Sequence, residues 1–143
     1  MQKQQMKSDE RIEKFLAGKR FAVVGASQDR TKYGNKVLRV YQQNKRDVVP
    51  VNPKAGQVEG LKAHADLASI PGQIDGVSII TPPAVTEKVV QDALQRGIKN
   101  IWMQPGAESQ AAIKAAQAGG ANVIASGPCI LVSLCYREEE EAG

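Results

Sequence analysis

The chain of 143 residues is long enough for one domain with its own core, is 42% hydrophobic but only 4% aromatic, and carries a net charge of +4. No apolar run approaches the length of a membrane span, and two cysteines, Cys129 and Cys135, do not make a disulfide scaffold. The opening MQKQQMKSDERIEKF has no apolar core and is not a secretory signal, so a reducing, cytoplasmic setting is expected.

Strands and helices alternate along the chain. Ser8 caps a short helix running through Ala17, and Gly18 ends it. RFAVVGA is a first strand. GNKVLRVYQQN is a helix with Val37, Leu38 and Tyr41 on one face. DVVPVN is a second strand, and its Pro50 calls for an edge or irregular position. DGVSIIT is a third. PAVTEKVVQDALQRG is a helix opened by Pro83 and closed by Gly97, with Val85, Val89, Ala93 and Leu94 on one side. KNIWMQ is a fourth strand, ESQAAIKAAQAGG an Ala-rich helix, and ANVIAS a fifth strand. This order predicts a single α/β, Rossmann-like, doubly wound domain with a five-stranded, mostly parallel sheet over residues 8–136. Residues 1–7 and 137–143 are expected to be flexible tails.

In such sheets a ligand lies beyond the C-terminal ends of the strands. That rim gathers Gly25 to Ser27, Asn52 to Lys54, Thr81 to Pro83, Gln104 to Gly106, and Ser126 to Cys129. Between Lys19 and Lys54 stand nine Lys and Arg against two Asp, which favours a polyanionic ligand as readily as a plain basic surface. Gly25 permits a tight turn, Ala26 a close approach of backbone, and Ser27 a hydroxyl donor. Arg30 and Lys32 add charge. The spacing departs from G-x-G-x-x-G, since the next glycine is Gly34, and a strand-to-helix turn favours glycine and serine in any case.

The second strand ends VNPK, with no acid before Glu59 to bind a free ribose diol. Asn52 suits a ribose or base edge, and Lys54 a phosphate on the ribose. Read separately, Asn52-Pro53 is a turn and Lys54 a solvated charge. Together with the basic loop they favour a phosphorylated ribose and disfavour NAD. Pro82, Pro83 and the MQPG segment offer flat apolar walls that suit an adenine or a pantetheine arm; prolines there also simply start helices. The one histidine, His64, has no catalytic set around it, and no residues have metal-ligand spacing. Cys129 on the rim is either a half-buried apolar residue or a thiol that meets a ligand.

Seven segments then fall in a familiar order: VVGAS at Val23–Ser27, YG at Tyr33–Gly34, PVNP at Pro50–Pro53, LASIPGQIDGV at Leu67–Val77, PP at Pro82–Pro83, WMQPG at Trp102–Gly106, and Cys129. From about Leu16 to Leu131 the chain resembles the small CoA-binding proteins, stand-alone relatives of the N-terminal domain of the succinyl-CoA synthetase α subunit. The resemblance implies that Gly25, Ala26 and Ser27 line the CoA diphosphate. It places Asn52, Pro53 and Lys54 around the adenosine 3′-phosphate, Pro82 and Pro83 beside the ligand, and Gln104 and Gly106 toward the thioester. Two segments depart from the family pattern: Gly127-Pro128 precede Cys129 where an arginine is common, and DRTKYG replaces an Arg-Pro type, which leaves basic contacts to Arg30 or Lys32.

The expected function is non-catalytic binding of coenzyme A or acyl-CoA. Alternatives are an NADP-dependent oxidoreductase, an accessory subunit of an acyl-CoA ligase, and a redox-linked regulator that uses Cys129. The expected partner is a small nucleotide ligand, with a partner protein or a second copy of the chain as a further option, and neither nucleic acid nor membrane.

Overall fold

The computed structural model describes residues 10–138. A helix over residues 10–16 (α1) leads into β1 (Arg20–Val24), α2 (Tyr33–Gln43) and β2 (Asp47–Val51). A small hairpin follows, β3 (Gln57–Val58) and β4 (Leu61–Lys62), then a 3-10 turn at Leu67–Ser69. The chain continues through β5 (Gly76–Ile79), α3 (Pro83–Gln95), β6 (Asn100–Met103), α4 (Gln110–Ala118), β7 (Asn122–Ile124) and the single turn α5 (Ile130–Ser133). Five strands form one parallel sheet in the order β2-β1-β5-β6-β7. This is the Rossmann-like α/β domain that the alternation of elements predicts.

Both faces of the sheet are covered. Ala22, Val24, Val77, Ile79, Ile101 and Met103 pack with Val89, Val90 and Ala93 of α3 and Ala112 and Ala116 of α4. The alternate residues Phe21, Val23 and Trp102 pack with Phe15 of α1, Val37 and Leu38 of α2, and Ile130 of α5. The few aromatic residues are concentrated there. Phe15 stacks on Phe21 at 5.3 Å and meets Trp102 edge-on at 5.3 Å; Phe21 stacks on Tyr41 at 5.0 Å. Such pairs each add about 0.5–1.5 kcal/mol beyond burial alone. Tyr41 is wholly buried, and its hydroxyl meets Ser78 Oγ at 2.7 Å, so its polar tip is satisfied.

β2 is the outer strand of the sheet, which explains Pro50: a residue without an N–H suits an edge. Beside that edge His64 donates its N–H to Pro50 O at 3.0 Å, and Asn52 N–H donates to His64 O at 2.9 Å. His64 is therefore a main-chain splice along β2.

Several local expectations need correction. Val85 is 47% exposed, and Thr86 takes the inner place beside Val89, Val90 and Ala93. The cause is the start of α3: Pro82 and Pro83 set its first turn, and Thr86 Oγ1 closes on Thr81 Oγ1 at 2.7 Å. The first helix ends at residue 16 rather than Ala17, with Gly18 N–H bonded to Phe15 O at 3.2 Å. The hairpin and the 3-10 turn between β2 and β5, and α5 after β7, are elements that the sequence pattern does not predict. Ser8 and residues 1–7 and 139–143 lie outside the described residues. Arg137 exchanges two hydrogen bonds with the Gln43 side chain, at 2.7 and 3.1 Å, and Glu138 pairs with Lys36 at 3.6 Å. Among the described residues no helix is long and apolar enough to cross a membrane, and no group of three or more His, Cys, Asp or Glu is placed to hold a metal ion.

Candidate functional site

β1 and β5 are neighbours, yet β1 is followed by β2 on one side while β5 leads to β6 on the other. Strand order reverses here, so the loops beyond the two C-terminal ends diverge and leave a crevice. At its base the two loops touch. Gly25 has φ +98°, and a Cβ on it would lie 2.0 Å from Ile80 O. Gly34 lies in the first turn of α2, where a Cβ would stand 2.0 Å from Gly25 O. The two glycines thus share out the work of a dinucleotide-binding turn: one makes the sharp corner, the other lets the helix approach it.

The loop between them is held from behind by its carbonyls. Asn52 Nδ2 donates to Ala26 O at 2.8 Å, Asn35 Nδ2 to Ser27 O at 2.8 Å, and Arg39 Nη2 to Arg30 O at 3.0 Å. Gln28 Nε2 reaches Gln57 O on the hairpin at 2.7 Å. The N–H groups of Ala26, Ser27, Gln28, Tyr33 and Gly34 find no acceptor among the described residues. Unpaired N–H groups at a helix start, added to the positive end of its dipole, make an anion-binding surface. Ser27 Oγ accepts Asp29 N–H at 3.1 Å. Asp29 in turn accepts from the Thr31 hydroxyl at 2.7 Å and N–H at 3.0 Å, and these bonds hold its carboxyl below the ordinary value.

Charge flanks this surface. Lys32 is the exposed residue before α2, Lys54 is exposed on the neighbouring loop, and neither has an ion-pair partner among the described residues. Arg30 lies with its Nε 3.4 Å from the Glu59 carboxylate. Asn52 has a structural task as well. Its Oδ1 accepts Lys54 N–H at 2.7 Å and Ala55 N–H at 3.1 Å, so one side chain folds the VNPK turn and ties it to the Gly25–Ser27 loop. Pro53 and Lys54 stand at the exposed tip.

A hollow of about 490 Å³ adjoins the loop, lined by Tyr33, Ile80, Thr81, Pro82, Pro105, Gly106 and Ala107. Most of that lining is apolar. Pro83 is the exposed first residue of α3, beside this hollow in sequence but outside its lining. Gln104 is wholly buried: its N–H bonds Ile79 O, its Oε1 accepts Ile130 N–H at 3.0 Å, and its Nε2 has no partner among the described residues. It supports α5 from within, while Gly106 faces the hollow. Glu108, which the sequence reading missed, accepts from Gly106 N–H at 3.0 Å and Ser126 N–H at 3.2 Å and so joins two rim loops. Half-buried Cys129 places its Sγ in hydrogen-bond contact with the Tyr33 hydroxyl. Burial, then the contact with Cys129, raises the Tyr33 hydroxyl well above an ordinary tyrosine. Cys135 is an exposed free thiol.

Two larger hollows, about 600 and 710 Å³, lie at the other end of the sheet. Their polar groups serve the fold. The Asp75 carboxylate accepts Lys19 N–H at 2.8 Å and Arg20 N–H at 3.0 Å, and the Arg96 guanidinium donates to the carbonyls of Leu67, Ile70 and Gly72. Size alone therefore misdirects; the smaller hollow is the one beside unpaired N–H groups.

Residues 19–134 match the family described as a CoA-binding domain. The chain belongs to the CoA-binding domain family. Coenzyme A is accordingly its ligand. This CoA-binding domain is similar to the alpha subunit of ADP-forming acetate–CoA ligase II of Pyrococcus furiosus, with 32% identity over 93 residues, 63% of this chain and 20% of that subunit. It is similar to the uncharacterized protein YneT of Bacillus subtilis, at 29% identity over 74% of this chain and 78% of YneT. A solved structure of a conserved hypothetical protein of Pyrococcus furiosus superposes with a TM-score of 0.76 at 34% identity, covering 81% of this chain and 99% of that one. The domain spans 12 to 20% of the length of the first curated relatives it matches.

Proposed function

We propose that this domain binds CoA or an acyl-CoA and serves as the CoA-binding component of an acyl-CoA ligase, with catalysis residing in a partner protein. The unit that does so is residues 8–136. The diphosphate lies against the N–H groups of Ala26, Ser27, Gln28, Tyr33 and Gly34, and Arg30 and Lys32 flank it. The ribose phosphate lies by Asn52, Pro53 and Lys54. The pantetheine arm follows the apolar wall past Thr81, Pro82 and Pro83 to Gly106, above Gln104. The observation that carries this reading is that the N–H groups of Ala26, Ser27 and Gln28 in the loop after β1, and of Tyr33 and Gly34 in the first turn of α2, are unpaired among the described residues and lie beside Lys32 and Lys54, which make no ion pair among those residues. The likeness to an acetate–CoA ligase alpha subunit supports the ligase role.

Calorimetry with CoA and dephospho-CoA tests the binding mode: CoA binds more tightly, and equal affinities would remove the role given to Lys54. NADPH is the control ligand. Tight NADPH binding that CoA does not displace would restore the oxidoreductase reading. For the ligase role, the domain is mixed with the nucleotide-handling subunit of such a ligase. Acyl-CoA formation that needs both chains supports it; formation without this domain does not.

The Tyr33–Cys129 contact favours a second reading, in which Cys129 takes part in thiol exchange at the site. Its thiolate attacks a CoA disulfide, forms a Cys129–CoA disulfide and releases one CoA thiol. Intact mass after incubation with oxidised CoA decides it. An adduct on exposed Cys135 alone, or none at all, ends that reading.

A further inference from the structure

Two polar side chains of α2 are buried where the helix meets the loop after β1, the β3–β4 hairpin and the segment after α5: Asn35 is 0% exposed and Arg39 3%. Burying an amide and a guanidinium is costly unless each finds partners. Here every strong group of the amide is in use. Asn35 Oδ1 accepts from Arg39 Nε at 2.6 Å, while its Nδ2 donates to Ser27 O at 2.8 Å and to Glu59 Oε2 at 3.0 Å. Arg39 also reaches Arg30 O at 3.0 Å, and its guanidinium lies 5.5 Å from the centre of the Tyr136 ring.

This pattern has a direction. A loop that offers N–H groups to an anion must turn its carbonyls elsewhere, because a carbonyl facing a phosphate repels it. Asn35 and Arg39 take the Ser27 and Arg30 carbonyls from the α2 side. We propose that Asn35 and Arg39 are positioning residues for the CoA diphosphate: without touching the ligand, they set the N–H row of the Gly25–Lys32 loop before it arrives. The inference rests on the CoA-binding reading above. It also explains why position 35 is an amide. An aspartate there would fit sterically but would set a carboxylate oxygen against both Ser27 O and the Glu59 carboxylate. Glu59 pins the amide by taking its second N–H, and its partner Arg30 is thereby fixed at the edge of the loop.

The test uses the full chain as wild type, Asn35→Asp, Arg39→Lys and Lys54→Met. CoA and dephospho-CoA affinities are measured alongside thermal unfolding. Asn35→Asp and Arg39→Lys each weaken both ligands by about tenfold, the size expected for losing one or two hydrogen bonds that hold the loop. The ratio between the two ligands stays at the wild-type value. Lys54→Met collapses that ratio instead. In NMR spectra, the CoA-induced amide shifts of Ser27 and Gln28 shrink in the first two variants and persist in the third. If Asn35→Asp does not fold, Arg39→Lys, which keeps the charge and the stem, carries the test. A lowered melting temperature with unchanged CoA affinity overturns the inference and leaves the CoA reading standing. Wild type that fails to bind CoA overturns both.

Discussion

Gly34 and Gly25, nine positions apart in the sequence, are in backbone contact: a Cβ on Gly34 would sit 2.0 Å from the Gly25 carbonyl oxygen. No rotamer change relieves that clash, since the opposing atom is main chain. Gly34→Ala must push α2 away from the loop, at a cost of about 1–3 kcal/mol. For a chain of this size that lowers Tm by about 2–9 °C. CoA affinity should fall further than stability, because the displaced groups include the N–H of Gly34 itself. Calorimetric Tm and a CoA titration on the same sample check both.

Lys54 is exposed and makes no ion pair among the described residues, so its removal leaves the fold alone. Lys54→Met should keep Tm within about 1–2 °C of wild type, as surface changes usually do. It should weaken CoA by about three- to tenfold while leaving dephospho-CoA unchanged, and raising salt should shrink the difference. An equal loss for both ligands would place Lys54 elsewhere in the site.

Gln104 supports the rim from below. Replacing it with Leu removes an unpaired buried donor but leaves Ile130 N–H without its acceptor. The two effects oppose each other, and the net cost should be about 1 kcal/mol. Amide hydrogen exchange is the sharper measurement: Ile130 should exchange faster in Gln104→Leu, while core amides of β1 and β5 keep wild-type protection.

Asp75 gives the fold an acid sensitivity. Its carboxylate accepts from Lys19 and Arg20 N–H and from the Gln73 side chain, and the two main-chain bonds hold it below the ordinary 3.8. A depressed carboxyl contributes stability above its unfolded value and loses it as pH falls through the folded one. Asp75→Asn should therefore be less stable than wild type at neutral pH, and the gap should close below pH 3.8. Denaturant midpoints measured across that range check the sign. A gap that stays constant to low pH would assign the loss to hydrogen-bond geometry rather than charge.

The sequence carried the architecture because periodicity and glycine punctuation are local. Short runs such as FAVV and GVSII, separated by amphipathic stretches, have few ways to bury themselves other than a covered parallel sheet. It also carried the rim, since strand ends fall at one edge once the order is known, and Pro50 marked the outer strand. Val85 was misplaced because period alone does not reveal which neighbour Thr86 will bond.

Function was legible as a class and obscure as a mechanism. The lack of an acid at the end of β2 and the Lys54 charge are properties of residue type, so composition and order sufficed for them. Which N–H groups stay unpaired was decided in three dimensions, by groups 24 and 26 positions apart meeting across the loop, as the Asn35 amide meets the Glu59 carboxylate and the Asn52 amide meets the Ala26 carbonyl. Asn35 and Arg39 stand four apart on a helix, a spacing that suits any surface pair; only the loop after β1, the hairpin and the segment after α5 closing over them buried them and set them against Ser27 and Arg30. Patterns of residue type survive in one dimension, whereas the direction in which a carbonyl points is settled only when distant segments compete to bind it.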